Sequence, residues 1–460
     1  MYWNEYNKVL GTWANPASSL LVEYKQCLTE GLNVEHLCPA LQEIAKLTDS
    51  AAKDTLARAM YEALESQPLK SECPYDEPSE LDNIKAKRPD FSRENKKYRE
   101  IAKNLTEDQL RNKILGAWYG RTCGCLLGKP VEGVRSYDIE AYCKRIDNYP
   151  LHKYMIRDED KIGNLAHRRC FINQINGAAP SDDDTNYTVL ALKLMETKGF
   201  DFTPSDVAFE WLRNMTVFSY CTAERAAYIN LLAGIKPPHS ATHFNPYREY
   251  IGAQIRGDLF GWATPGNTEL AAELAFRDAS ISHIKNGIYG EMYIAAVLAA
   301  AYCTNDVKEA LKAGLGEIPE KSRLYADITE VLKLYDSGKT YEDFIADLRT
   351  RFDENIGFDW CYTNPNTMIV AAALLWGEND YGKTICKAVI PGFDTDCNGA
   401  TAGSIFGILH GIEAIPNEWK SPIQTNGEGK LTTEIKGYEQ VTLEDMAERT
   451  LKIAEMSKEI

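Results

Sequence analysis

The sequence has no paired cysteine spacing of the zinc-site kind. Its twelve cysteines are scattered, and Cys123 and Cys125 are the only close pair. That pattern excludes a zinc-ribbon or disulfide-framework reading and points to reduced core thiols. Basic residues are outnumbered: 51 Lys and Arg stand against 67 Asp and Glu, a net charge of −16. Binding a nucleic-acid backbone needs clustered cations, so this balance disfavours nucleic acid as a partner. No apolar run reaches the length of a membrane span. The start, Met1-Tyr-Trp-Asn-Glu-Tyr, has no basic stretch leading into an apolar one. A secretory leader is therefore not expected, and the expected compartment is cytoplasmic. Strand signals are sparse and no βα pattern repeats.

What remains is a chain of 460 residues, 44% hydrophobic, with material for a sizeable core. Its most informative stretch runs from Pro391 to Gly411. Asp394 and Asp396 open it, and Gly399, Gly403, Gly407 and Gly411 follow at four-residue intervals. That interval lines glycines along one helix face. Each interior glycine costs a helix about 1 kcal/mol relative to alanine. Close packing against another backbone is the expected compensation. Gly116, Gly120, Gly124 and Gly128 repeat the device, and Lys129-Pro130-Val131-Glu132 follows. Such stripes mark helix pairing in membranes, but Arg121 and Lys129 argue against lipid burial here. Two tightly packed soluble helices are expected, each delivering a carboxylate at one end.

Residues 1–67 read as a helical N-terminal region, with apolar positions such as Leu41, Ile44, Leu56, Met60 and Leu64 at helical spacing. Residues 68–104 read as a charged connector marked by Pro68, Pro74, Pro78 and Pro89. The main domain is expected over 105–460, with Thr106 capping its first helix. Residues 134–180 read as irregular. Pro180 and Ser181, then Asp182, Asp183, Asp184 and an apolar run ending at Gly199, predict a helix over 183–198. The segment from Ser282 to Gly290 reads as a polar, glycine-rich link between apolar helices. Residues 359–367 read as a polar, aromatic loop ahead of a helix at Met368–Trp376. Asn426-Gly427, within Ile423–Val441, suggests a small hairpin, and Thr442 caps a last helix.

Three carboxylate groups stand out: Glu132, Asp182–Asp184, and Asp394 with Asp396. Three consecutive acids at a helix start repel one another more than the helix dipole compensates. A cation would resolve the repulsion. Oxygen ligands without a histidine cluster suit Mg²⁺, Mn²⁺ or Ca²⁺ rather than zinc. Two ions about 3.5–4 Å apart would use this many acids, clamping substrate and water between them. The alternative is a set of unrelated helix caps and surface turns.

Gly124-Cys-Leu-Leu-Gly-Lys-Pro-Val-Glu132, Ser181-Asp-Asp-Asp-Thr185 and Phe393-Asp-Thr-Asp396 with its glycine-rich helix resemble three signature regions of the ADP-ribosylglycohydrolase family. They occur in the same order, over about residues 110–412. The resemblance implies an all-α orthogonal helical bundle, here with an extra N-terminal helical segment, and a cleft holding two Mg²⁺ or Mn²⁺ ions. It implies Asp182, Asp183, Asp184 and Asp396 around one ion, and Glu132, Asp394, Asp396 and the Cys397 position around the other. The implied reaction is hydrolysis at the anomeric carbon of ADP-ribose attached to a protein side chain or small acceptor. Asp183 and Glu132 would be catalytic, with Asp183 or an ion-held water activating the nucleophile. Ser282, His283, Gly287 and Tyr289 fall where the family places a loop near the distal ribose and phosphates. Asn364 and Asn366 fall toward the adenosine side, with Trp360 or Tyr362 available to stack; His410 reads as structural. The family usually has threonine at Asp182, often threonine at Cys397, and commonly aspartate at Cys125, which marks a distinct subfamily. Three other readings stand beside the first: a hydrolase of another N- or O-riboside, a metal-dependent phosphohydrolase, and a non-catalytic, crystallin-like member.

Overall fold

In the computed structural model both glycine-spaced segments are helices, Glu107–Gly128 and Thr395–His410, lying glycine face to glycine face. A methyl group built on Gly124 would sit 2.0 Å from the carbonyl oxygen of Gly399. A methyl group on Gly116 would meet Gly407 O at 2.7 Å, and one on Gly128 would meet Thr395 at 2.3 Å. The helical cost of these glycines is thus offset by an approach that no side chain permits. The structure describes residues 11, 13 and 15–460; the helical expectation for the other N-terminal residues lies outside them. Thr106 caps the first glycine helix, and Gln109 reaches back to close a capping box.

The paired helices are flanked by Leu443–Ser457 on one side and Tyr381–Val389 on the other. The helix Lys285–Ala301 is buried from Asn286 onward. Being apolar all round, it forms the centre of the bundle. Thr268–Ala279 and Thr363–Leu375 pack against it. Helix makes up 64% of the chain and strand 3%, so the fold is all-α. Among the described residues no helix is long and apolar enough to cross a membrane.

The hairpin expected around Asn426-Gly427 is present. Both residues take left-handed backbone angles (φ 57° and 87°), as a two-residue hairpin turn requires. It joins Gln424–Thr425 to Glu428–Thr432, and Gln440–Thr442 adds a third antiparallel strand. The middle strand also bonds Ala179, which accepts from Thr432 N (3.0 Å) and donates to Lys430 O (2.8 Å). That anchor lies three residues before Asp182.

Four segments differ from the sequence reading. The Ser282–Gly290 segment, read as a link, is helical from Lys285 onward, because its glycines, Gly287 and Gly290, face close neighbours in the packed core rather than a turn. Residues 136–145, expected to be irregular, form a helix burying Ile139, Tyr142 and Cys143. Its charged outer face masked those apolar positions. The 68–104 segment carries helices at Leu81–Ala86 and Lys96–Ala102 and a tight turn at Asp90–Asn95. Its prolines flank these pieces rather than interrupt them, which proline tolerates. Asn364 and Asn366 lie in the first turns of Thr363–Leu375 rather than in a loop. Pro365 fits there because the first helical N–H groups need no partner.

The N-terminal helices Pro16–Thr29, Cys38–Lys46 and Ala51–Glu65 enclose a small core around Leu20, Cys27, Leu41, Tyr61 and Leu64. Buried polar contacts dock this unit on the main domain. Gln26 donates to Glu249 at 2.7 Å, and Arg323 bridges Glu77 and Glu249.

Candidate functional site

The site begins where the two glycine helices end. Gly128 lies so close to Thr395 that a methyl group there would meet its backbone at 2.3 Å. Thr395 Oγ1 donates to Gly128 O at 2.9 Å. This contact brings the Glu132 turn beside Asp394 and Asp396. The acid loop is held in an unusual shape: Gly392 and Phe393 both have positive φ, 78° and 59°. A bulky residue with φ in that range is a strained exception. Two contacts hold it. Trp360 Nε1 donates to Phe393 O at 2.6 Å, and the Asp394 N–H donates to Asn366 Oδ1 at 3.1 Å.

The second wall is the N-terminus of the helix Asp183–Lys198, as the sequence predicts. Asp182 is its cap and accepts from Asp184 N at 3.0 Å. Asp182, Asp184, Asp394 and Asp396 are buried, whereas Asp183 and Glu132 are partly exposed. Two sets of potential ligand atoms lie within 4.8 Å of one another: Cys125, Asp182 and Asp184, and Asp184, Asp396 and Cys397. Asp184 belongs to both. One of its oxygens accepts from Arg121 Nη2 at 3.1 Å, while Oδ2 has no hydrogen-bond partner. Asp396 Oδ1 has none either.

The electrostatics reflect this crowding. Burial, then repulsion from neighbouring acids, pushes Asp183 and Asp396 well above the carboxylate range. Burial does the same to Asp184, against the pull of Arg121. Glu132 is raised to about 7 and Asp394 to about 6, chiefly by burial. Asp182 is the exception. Burial works against its charge, but the ammonium of Lys129 overcomes this and holds it below the usual range. The additional acid at position 182 is therefore matched by a cation from the same chain. Six carboxylates remain against two principal cations, Arg121 and Lys129. Orphaned, buried oxygens within this crowded cluster fit a divalent cation: it would satisfy the lone pairs and lower the repulsion. Asp182, Asp184 and Asp396 are placed to hold it, with Asp183, Glu132 and Asp394 beside them.

The expected substrate residues are placed differently. Ser282 Oγ accepts from Arg256 and bonds His283 Nδ1 at 2.8 Å, and both residues are buried. Gly287 faces the carbonyl of Arg248, and Tyr289 donates its hydroxyl to Pro78 O. This segment lies beneath residues 77–79 of the 68–104 segment. Asn364 donates to Asp327 at 2.6 Å. Asn366 is the one of the six hydrogen-bonded to the acid loop. Its amide donates to the carbonyls of Trp360 and Tyr362, and its oxygen accepts from Asp394 N and Asn398. Tyr362 is buried with its hydroxyl accepting from Arg323. His410 lies against Phe406, ring centroids 4.5 Å apart.

Sequence reasoning missed Arg121. Its guanidinium, 1% exposed, bonds Asp184, Asp258, Thr188 and the Ile255 carbonyl. The signal was a lone cation inside a stripe of small residues, a costly place for a charge without partners.

An all-helical bundle with a buried carboxylate centre at the meeting point of two glycine-faced helices is thus defined. The sequence model of the ADP-ribosylglycohydrolase family matches residues 106–459, and the chain belongs to that family. A solved structure described as an ADP-ribosylglycohydrolase-related protein complex is similar to it. The two share 20% identity, over 76% of this chain and 99% of that one, with a TM-score of 0.47. No curated protein matches the sequence.

Proposed function

We propose that this protein hydrolyses the glycosidic bond at the anomeric carbon of an ADP-ribosyl group carried by a protein or small acceptor, releasing ADP-ribose. Family membership supplies the substrate class. The observation that carries the reading is the convergence of Asp182, Asp184 and Asp396, with unpartnered oxygens on Asp184 and Asp396.

Bound divalent cations, Mg²⁺ or Mn²⁺ in the family reading, would supply positive charge to the cluster and orient the ribose diol. Asp183 is the partly exposed member of the acid triplet and accepts a proton from the attacking water. The water oxygen bonds to the anomeric carbon, and the bond to the acceptor breaks with its electron pair leaving on the acceptor. Glu132, also partly exposed and raised to about 7, is suited to return a proton to that leaving atom. The buried carboxylates stabilise the oxocarbenium-like charge that develops on the sugar. Asn366 and Trp360 position the Asp394 loop. The twelve free cysteines fit a reducing, cytoplasmic setting.

The test is product analysis with ADP-ribosylated peptides and small ADP-ribosides. Intact ADP-ribose is the expected product, with a loss of about 10²-fold or more in Asp183→Asn. Release of inorganic phosphate instead would establish a phosphohydrolase. No turnover of any riboside would leave a binding role.

A further inference from the structure

The acid centre is also a thiol centre. Cys125 and Cys397 each contribute sulfur to one of the two ligand sets, within 4.8 Å of two carboxylates apiece, and they are 3% and 6% exposed. Asp184 joins the two sets and carries a buried oxygen without a hydrogen-bond partner, and Asp396, in the second set, carries another. A third thiol lies beside the cluster: Cys361 donates to Asp394 Oδ2 at 3.7 Å.

Sulfur is a soft ligand. Mg²⁺ and Ca²⁺ take hard oxygen ligands and leave thiols protonated, whereas Zn²⁺ and its neighbours bind thiolate and carboxylate together. A thiol binds a metal as thiolate, so only a cation with strong affinity for sulfur displaces the protons of Cys125 and Cys397 to solvent. We propose that this centre holds a thiophilic divalent cation of the zinc class, with the thiolates of Cys125 and Cys397 as ligands beside Asp182, Asp184 and Asp396. This rests on the metal-dependent reading above and changes the identity of the ion. Lys129 fits the same scheme. Its ion pair with Asp182 offsets part of the negative charge that a bound thiolate adds to the first set.

The test uses the full chain, stripped of metal by a chelator and titrated with Co²⁺ under reducing conditions. Co²⁺ stands in for Zn²⁺ and gives a near-ultraviolet sulfur-to-metal absorption only when thiolate is bound. The expected result is such a band, removed by Zn²⁺ and unmoved by a large excess of Mg²⁺. It should weaken in Cys125→Ser and in Cys397→Ser and vanish in the double variant. Cys73→Ser, at a residue that lies against Gly31 away from both ligand sets, should keep it. Circular dichroism checks that each variant is folded, and the wild-type competition stands without any variant. Co²⁺ binding without the band, or a band surviving in the double variant, would overturn the proposal. Mg²⁺ displacing Co²⁺ would overturn it too and leave the hard-ion hydrolase standing. Retention of neither Co²⁺ nor Zn²⁺, measured by elemental analysis, would also overturn it. Release of ADP-ribose, assayed separately, decides the hydrolase reading whichever way the cobalt result falls.

Discussion

Arg248 grips Glu23 with both arms of its guanidinium, at 2.7 and 2.9 Å, and both side chains are buried. Glu30 shares the same arginine at 2.8 Å. The two acids belong to the N-terminal helix and the arginine to the main domain. The residues ahead of the family-matched region are therefore not a loose appendage. Val22 of that helix packs in an apolar cluster with Cys361 and Trp360, the residues that bond Asp394 and Phe393. The N-terminal unit thus braces the back of the acid loop. Breaking a buried ion pair from one side strands the partner charges, at about 3–5 kcal/mol. Arg248→Met should lower stability by that amount in a denaturant titration. A loss below about 1 kcal/mol, the scale of an exposed pair, would show that the pair forms no such anchor.

Glu30 also sets an acid limit. Burial raises its pKa, but Arg248 and Lys285 outweigh that and hold it at about 2, below its ordinary 4.5. The folded state then binds this proton less readily than the unfolded one. Its contribution is complete above about pH 4.5 and is lost as the pH falls toward 2. Wild type should lose denaturation midpoint between about pH 4.5 and pH 2, and Glu30→Gln should start lower and lose less. Parallel pH profiles for the two proteins would remove Glu30 from the account.

The opposed glycines make a sharper prediction. A methyl group on Gly403 would come within 2.1 Å of the Gly120 carbonyl oxygen, which cannot yield without separating the helices. Gly403→Ala should destabilise by at least the 1–3 kcal/mol typical of overpacking, despite a propensity gain of about 1 kcal/mol. Gly357→Ala, where a methyl group meets nothing within 4 Å, is the control and should be neutral or stabilising. Equal melting temperatures for Gly403→Ala and wild type would refute close packing as the reason for the stripes.

That helix pairing was legible because four-residue glycine spacing has few other physical uses in a soluble chain. The helix at Asp183–Lys198 was legible from its acids, apolar run and glycine stop, and the last helix from Thr442. The convergence of the acids was not. Glu132, Asp182 and Asp394 are far apart in the chain, and spacing alone cannot say that their backbones meet. The family resemblance supplied that link, and the Gly128–Thr395 contact gives it a cause. The partners of single charges were also hidden. Nothing in the sequence pairs Lys129 with Asp182, Arg121 with Asp184, or Arg248 with Glu23, because such pairs carry no period. The substrate residues were read from position alone. The structure gives Asn366 a positioning role at the acid loop and places Tyr289 beneath Pro78.

Asp396 distinguishes a cation centre from an internal ion-pair web. It is buried, one oxygen lacks a partner, and burial plus neighbouring acids make its charge unfavourable. Without a cation, Asp396→Asn removes one repelling charge at constant shape. The stripped variant should therefore melt at or above the temperature of stripped wild type. With cation the order should reverse. Wild type gains about 2.7 kcal/mol at a hundredfold excess over the dissociation constant, whereas the variant gains little and loses ADP-ribose release. Thermal unfolding of both proteins, with and without a divalent cation, makes the comparison. If the variant is stabilised as much as wild type, Asp396 does not hold the ion and the two-set centre is wrong. If the stripped variant is instead much less stable, the carboxylate is part of a self-sufficient ion-pair web centred on Arg121 and Lys129.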